Sequence, residues 1–156
     1  MIKTKQVELA LTEAAELTAP HRLEGTDGHY LFTFAPDDSV ELVFDEPAQC
    51  LTLMAEVGCL DAEDEPVGHR LMLQYSFVHC ATGGITLAIN PVGGRVVQMF
   101  RWPVGQLSVQ DLCAALKAFH HKAHLWRETI AAGFRAGSAA EAALAEDLDF
   151  QYAIRV

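Results

Sequence analysis

The chain lacks several features that would assign it a chemistry. Its four cysteines, Cys50, Cys59, Cys80 and Cys113, form no C-x-x-C pair. Scattered thiols, three of them inside apolar runs, read as free buried side chains of a reducing compartment rather than a disulfide or zinc framework. No apolar stretch reaches the roughly 20 residues that span a bilayer. The first residues, Met1-Ile2-Lys3-Thr4-Lys5-Gln6, have no apolar run followed by a small-residue cleavage site. A Sec signal is therefore not expected, and the expected location is the cytoplasm. No G-x-S-x-G elbow and no glycine-rich phosphate loop occurs, so Gly83-Gly84 and Gly93-Gly94 read as turn glycines.

Positive charge is missing over a long stretch. Between Leu23 and His69 there is no Lys or Arg, while Glu24, Asp27, Asp37, Asp38, Glu41, Asp45, Glu46, Glu56, Asp61, Glu63, Asp64 and Glu65 all fall there. The formal net charge of the chain is -10. Nucleic acid and anionic membranes both require cationic counter-charge, so this field disfavours them. It suits a basic or amphipathic protein partner, or simply a solubilising surface. Aromatics in basic surroundings, which would suggest stacking on bases, are absent.

What is present is ample apolar material, 51% of 156 residues, enough for one packed domain. Val7, Ala10, Leu11, Ala14 and Leu17 recur at helical spacing, with Thr4 as a cap and Pro20 as the stop. Leu9 lies off that stripe. Three strand-like runs follow: Tyr30 to Ala35, Val40 to Phe44, and Gln49 to Val57. The last puts Leu51, Leu53, Ala55 and Val57 on one face and Met54 on the other. Short connections imply antiparallel neighbours.

The next helix, opening at Pro66 and running from Val67 to about His79, is apolar on two sides. Val67, Leu71, Tyr75 and Val78 share one side; Leu73, Phe77 and Cys80 lie roughly opposite. Two apolar faces require two burial partners. The second is either another copy of the chain, giving a symmetric dimer, or a sandwiched position within one core.

A hairpin then spans Ile85 to Ile89 and Val96 to Trp102, joined by Asn90-Pro91-Val92-Gly93-Gly94. Ser108-Val109-Gln110-Asp111 reads as a capping box for a long helix. Leu112, Leu116, Phe119, Ala123, Trp126 and Ile130 give that helix one apolar stripe, and Gly133 or Gly137 stops it. Ser138 to Leu148 reads as one more short helix, and Phe150 to Ile154 as a strand or a tail. The expected fold class is α+β: helix, three strands, helix, two strands and helix, a twisted antiparallel sheet packed by helices, with a C-terminal helical extension. Residues 1–134 form the expected domain and 135–156 the extension.

Histidine is the remaining candidate for chemistry. His120 and His124, at i and i+4 with His121 beside them, have a spacing that can place two imidazoles on one metal. No H-E-x-x-H motif and no completing carboxylate accompanies them, so solvent-facing side chains are the expectation. His79-Cys80 reads as local packing.

The hairpin and its flanks carry a resemblance. Ala81-Thr82-Gly83-Gly84-Ile85-Thr86-Leu87-Ala88-Ile89, then Val96-Val97-Gln98-Met99-Phe100-Arg101, and the long helix with Phe119 and Trp126-Arg127, resemble the class I type III secretion chaperones of the Tir-chaperone (CesT-like) family. The resemblance covers about Leu71 to Trp126 in detail and most of the rest in element order. It implies a homodimer in the bacterial cytoplasm that holds the non-globular N-terminal segment of a secreted effector. That role uses no ATP, no catalysis, no cofactor and no membrane insertion.

By the same resemblance, dimer contacts map to Leu73, Phe77, Ile85 and Leu87. Effector contacts map to Leu9, Leu11, Leu31, Phe32, Phe34 and Met54. The tail after Phe134 is longer than the family usually carries; it covers a patch or touches one particular effector. The competing readings are a small metal protein or hydrolase built on His120, His121 and His124, and a plain ligand-binding α+β subunit.

Overall fold

The computed structural model describes residues 1–78, 82–105 and 108–134. The elements are α1 Thr4–Thr18, β1 Arg22–Thr26, β2 His29–Ala35, β3 Asp38–Asp45, β4 Cys50–Cys59, α2 Glu65–Phe77, β5 Ile85–Ile89, β6 Arg95–Pro103 and α3 Val109–Ala132. The strands form one antiparallel sheet in the order β1-β2-β3-β4-β6-β5. The described residues divide into two compact units, Met1–Ala55 with Phe100–His121, and Glu56–Met99 with those from Lys122. The expected short helix from Ser138, the expected end strand and the pair His79-Cys80 lie outside the described residues.

In the first unit, α1 buries Val7, Ala10, Leu11 and Ala14, the stripe its spacing predicts. Leu17, expected on the same stripe, is exposed in the last turn. The helix closes at Ala19 in the left-handed region, whose N–H donates to the Ala15 carbonyl at 2.9 Å, and Pro20 prevents continuation.

Its start differs from the expectation. Lys3 is the capping residue, and its N–H donates to Gln6 Oε1 at 2.8 Å. Thr4 instead sends both its hydroxyl (2.7 Å) and its N–H (3.0 Å) to Glu46 Oε2. A distant carboxylate thus meets the positive end of the helix, the favourable sign for the macrodipole. The Thr4 hydroxyl above all, then Lys3 and the Thr4 amide, hold the Glu46 carboxyl down at about 2.

A fourth strand precedes the three expected ones. β1 carries no apolar alternation, but Asp27-Gly28 joins it to β2 with φ of 52° and 88°. Two successive positive φ values make this the hairpin turn that matches strand twist. Gly25 faces Tyr30 across the pair at φ +149°; a Cβ there would stand 2.2 Å from the His29 carbonyl oxygen, so only glycine fits.

Tyr30 and Phe32 point inward from β2, and Val40, Leu42 and Phe44 from β3, as period-two alternation predicts. The β2–β3 register slips between Thr33 and Ala35, which places Phe34 in a bulge.

In the second unit, Pro66 sits one residue later than expected, after Glu65, still within the first turn where its missing N–H costs nothing. α2 buries Gly68, Met72 and Tyr75. The Tyr75 ring meets Trp126 edge-on at 5.2 Å and 87°, a favoured aromatic geometry. Ser76 on α2 accepts the Leu87 N–H at 2.9 Å and donates to the Leu87 carbonyl at 3.2 Å. Thr82 donates to the Ile85 carbonyl at 3.0 Å. Because β6 is the only strand beside β5 among the described residues, these bonds close part of the outer edge of β5.

Candidate functional site

The expected contact residues separate by burial. Leu9 is 62% exposed on the outer face of α1, and Leu31 is exposed on β2 opposite Phe32. Leu17 extends the exposed side of α1. Phe34 and Met54 are half-buried. Leu11 and Phe32 are completely buried. These two belong to the core of the first unit, and the reading that placed them on the cargo surface is corrected: helical and strand periodicity turn them inward. A carboxylate at Phe32 would sit unpaired in apolar surroundings and unfold the unit rather than spare it.

The expected dimer residues divide in the same way. Leu73 is 72% exposed and Phe77 is 81% exposed, both on α2 away from its buried face. Ile85 and Leu87, on β5, are buried within the chain. They support the exposed face from below and are not themselves available to a partner, which corrects their assignment as contacts. Strand alternation alone does not distinguish an inward face from one covered by a second copy.

Of the three clustered histidines, His120 has a structural role. His120 is half-buried, with Nε2 2.6 Å from Asp38 Oδ2. Its ring stacks on Phe34 at 4.1 Å. The bulge in β2 brings Phe34 to this position, so the expectation that His120 faces solvent is corrected. His121 is exposed, and His124 reaches Glu128 at 3.4 Å along its own helix. Among the described residues, no group of three or more His, Cys, Asp or Glu side chains is arranged to hold a metal ion. Among the same residues no helix is long and apolar enough to cross a membrane.

One feature of the first unit was not legible in the sequence pattern. A groove of about 520 Å³ lies along α1 and β1, with Glu8, Thr12, Ala15 and Glu16 on the helix side and Arg22 to Gly25 on the strand side. Tyr30 also lines it. Its wall depends on β1, which apolar alternation does not reveal; the Asp27-Gly28 turn was the signal that would have found it.

The fold has counterparts. The model of the Tir chaperone protein (CesT) family matches residues 16–127. Among solved structures, a chain of the ExsC-ExsE complex is 19% identical with a TM-score of 0.70, covering 88% of this chain and 100% of that one. A chain of the HopA1-SchA chaperone-effector complex is 18% identical with a TM-score of 0.64, covering 79% and 94%. A chain of the heterodimeric ExoU-SpcU complex from the type III secretion system of Pseudomonas aeruginosa is 16% identical with a TM-score of 0.56, covering 75% and 93%. No curated protein matches. At these identities the structural likeness is one of fold. The family match spans both helix-flanked strand groups, including the hairpin that carries the resemblance, and on that breadth the chain belongs to the Tir chaperone protein (CesT) family.

Proposed function

We propose that this protein is a type III secretion chaperone that binds the non-globular N-terminal segment of a secreted effector in the bacterial cytoplasm and keeps it secretion-competent without ATP. Residues 1–134 carry this role and 135–156 form an extension to it. The observation that carries the reading, beside the family, is apolar surface left uncovered on regular elements: Leu9 and Leu17 on α1 and Leu31 on β2. A segment that orders on binding gives up conformational entropy, and buried apolar area must offset that loss. Half-buried Met54 and Phe34 are the remaining candidate contacts. Binding of this kind requires no catalytic group.

The functional unit is a homodimer joined through the outer face of α2. Leu73 and Phe77 support this, because two large apolar side chains held in water on one helix face favour association with a copy of the same face.

Co-expression with the N-terminal segment of a candidate effector tests the cargo reading. A complex that survives size-exclusion chromatography is expected, and Leu9→Asp is expected to abolish it with the circular-dichroism spectrum unchanged. Failure of every such segment to co-purify would refute the reading. For the dimer, light scattering is expected to give twice the chain mass. Leu73→Asp is expected to halve it without unfolding, since that side chain is already in water; a monomeric wild type would refute the dimer.

A further inference from the structure

The outer face of α2 carries a spacing that the chain repeats near its end. Pro66, Arg70, Leu73 and Phe77 recur at four, three and four residues, and all are exposed. Leu73 and Phe77 are the two most exposed large apolar side chains on any described helix. Arg70 is the one charged side chain of this stripe. It has no ion-pair partner among the described residues.

A second copy matches the stripe only in part. A symmetric contact sets the same patch on both sides, so the patch must complement itself. Leu73 and Phe77 meet that condition. Arg70 does not, because the contact adds a second guanidinium and no carboxylate from the stripe.

The sequence after Phe134 supplies the missing charge. From Ser138 to Phe150 it holds Glu141, Glu146, Asp147 and Asp149 and no Lys or Arg. At helical spacing Glu141, Leu144 and Leu148 share one face. They stand three and four residues apart, as do Arg70, Leu73 and Phe77. In parallel register, one offset sets Glu141 against Arg70, Leu144 against Leu73 and Leu148 against Phe77.

The course of the described chain suits that register. Phe134 is buried, and its N–H donates to Oδ1 of Asp64, the residue just before α2, at 3.2 Å. A Cβ at Gly68, in the first turn of α2, would stand 3.1 Å from the Phe134 ring. The chain therefore leaves α3 beside the start of α2. The six residues Arg135 to Ala140 reach about 20 Å when extended. A helix with its side chains is about 10–12 Å across, so this linker can round α2 and bring Glu141 level with Arg70.

We propose that the C-terminal extension docks on the outer face of α2 of its own chain, with Glu141 on Arg70 and with Leu144 and Leu148 on Leu73 and Phe77, and there competes with the second copy. A short tether raises the local concentration of the extension to about the millimolar range, so the dimer forms by displacing it. The extension is then a cover for apolar surface that a lone chain would otherwise leave in water. The competition rests on the dimer reading; the contact itself does not.

The test uses the full chain with p-benzoylphenylalanine in place of Phe77, irradiated at high dilution as an equal mixture of isotope-labelled and unlabelled protein. Trypsin releases peptide 136–155. That peptide is expected to be cross-linked to the one carrying position 77, both of the same isotope. Cross-links of mixed isotope would place the extension on a second copy, and absence of peptide 136–155 from the products would leave the face to the partner alone. Either result overturns the proposal.

Glu141→Arg is expected to cut the cross-link yield about threefold, the scale of an exposed ion pair. Adding Arg70→Glu is expected to restore it, which a merely local effect on the extension would not allow. A yield that Glu141→Arg leaves unchanged, or that the exchange fails to restore, overturns the pairing. Leu148→Asp is expected to detach the extension and to lower the dimer dissociation constant about tenfold in sedimentation equilibrium, because the face is then open in every chain. If the dimer forms with an unchanged constant, the competition is overturned while the dimer reading stands. If the same-isotope cross-link forms but wild type and Leu148→Asp stay monomeric at every concentration, the dimer reading fails and the contact stands.

Discussion

The two edge strands of the sheet are finished by different means. At β5, side chains complete the edge: Ser76 takes both polar groups of Leu87, and Thr82 takes the Ile85 carbonyl. At β1, no hydrogen bond from a described side chain reaches the backbone of the strand, which is only five residues long and carries Arg22 and Glu24 as an ion pair. Short length and charge are the usual protections of an open edge against unwanted pairing. The contrast teaches that an edge covered by hydrogen-bonded side chains is fixed, whereas an edge guarded by charge remains accessible to a ligand of the right sign.

The comparison can be broken most severely from the closed side. Leu87→Asp places an unpaired carboxylate in a buried position, and an uncompensated buried charge costs about 3–5 kcal/mol. Loss of the cooperative unfolding transition is the expected result; a folded monomer would instead mark Leu87 as a partner contact. On the open side, Gly25→Ala forces a Cβ against the His29 carbonyl at an unfavourable φ. A loss of about 1–3 kcal/mol in urea denaturation is expected, of the size such backbone strain carries.

Ser76→Ala sharpens the contrast. It leaves the Leu87 N–H and carbonyl without their partner, at a cost of about 1–3 kcal/mol for groups buried in the fold. The same variant is expected to raise hydrogen exchange at Leu87 while leaving β1 and β2 amides unchanged. Exchange that rises equally in both hairpins would show that the edges are not independently finished.

The smallest effect concerns acid. The Glu46 carboxyl ionises near 2 in the folded chain against an ordinary value of 4.5. A depressed pKa means that its contribution is complete above about 4.5 and is lost as pH falls toward 2. Glu46→Gln is therefore expected to flatten the acid limb of the stability profile between those values. Amide exchange at Thr4 would report it directly, since Thr4 is the group that Glu46 receives.

Much of this architecture was legible from residue spacing. The α1 stripe of Val7, Ala10, Leu11 and Ala14, the inward faces of β3 and β4, and the α3 series from Leu112 to Trp126 all fall where periodicity puts them. The second apolar side of α2 was also readable, and Leu73 and Phe77 are exposed there. β1 was missed because an edge strand that is mostly exposed carries no hydrophobic alternation. Leu11 and Phe32 were assigned to the cargo surface because the resemblance indicates elements, while burial distinguishes the two faces of each element.

The order of amino acids by itself determined which side chains share a face, where turns fall and how strongly acidic the surface is, since these follow from local geometry and composition. Only the tertiary structure decided that Glu46 would meet the start of α1, that a bulge would lay Phe34 on His120 and Asp38, and that Tyr30 would line a groove with Glu8 and Glu16. Those outcomes depend on distances between residues far apart along the chain, and local periodicity carries no information about such distances.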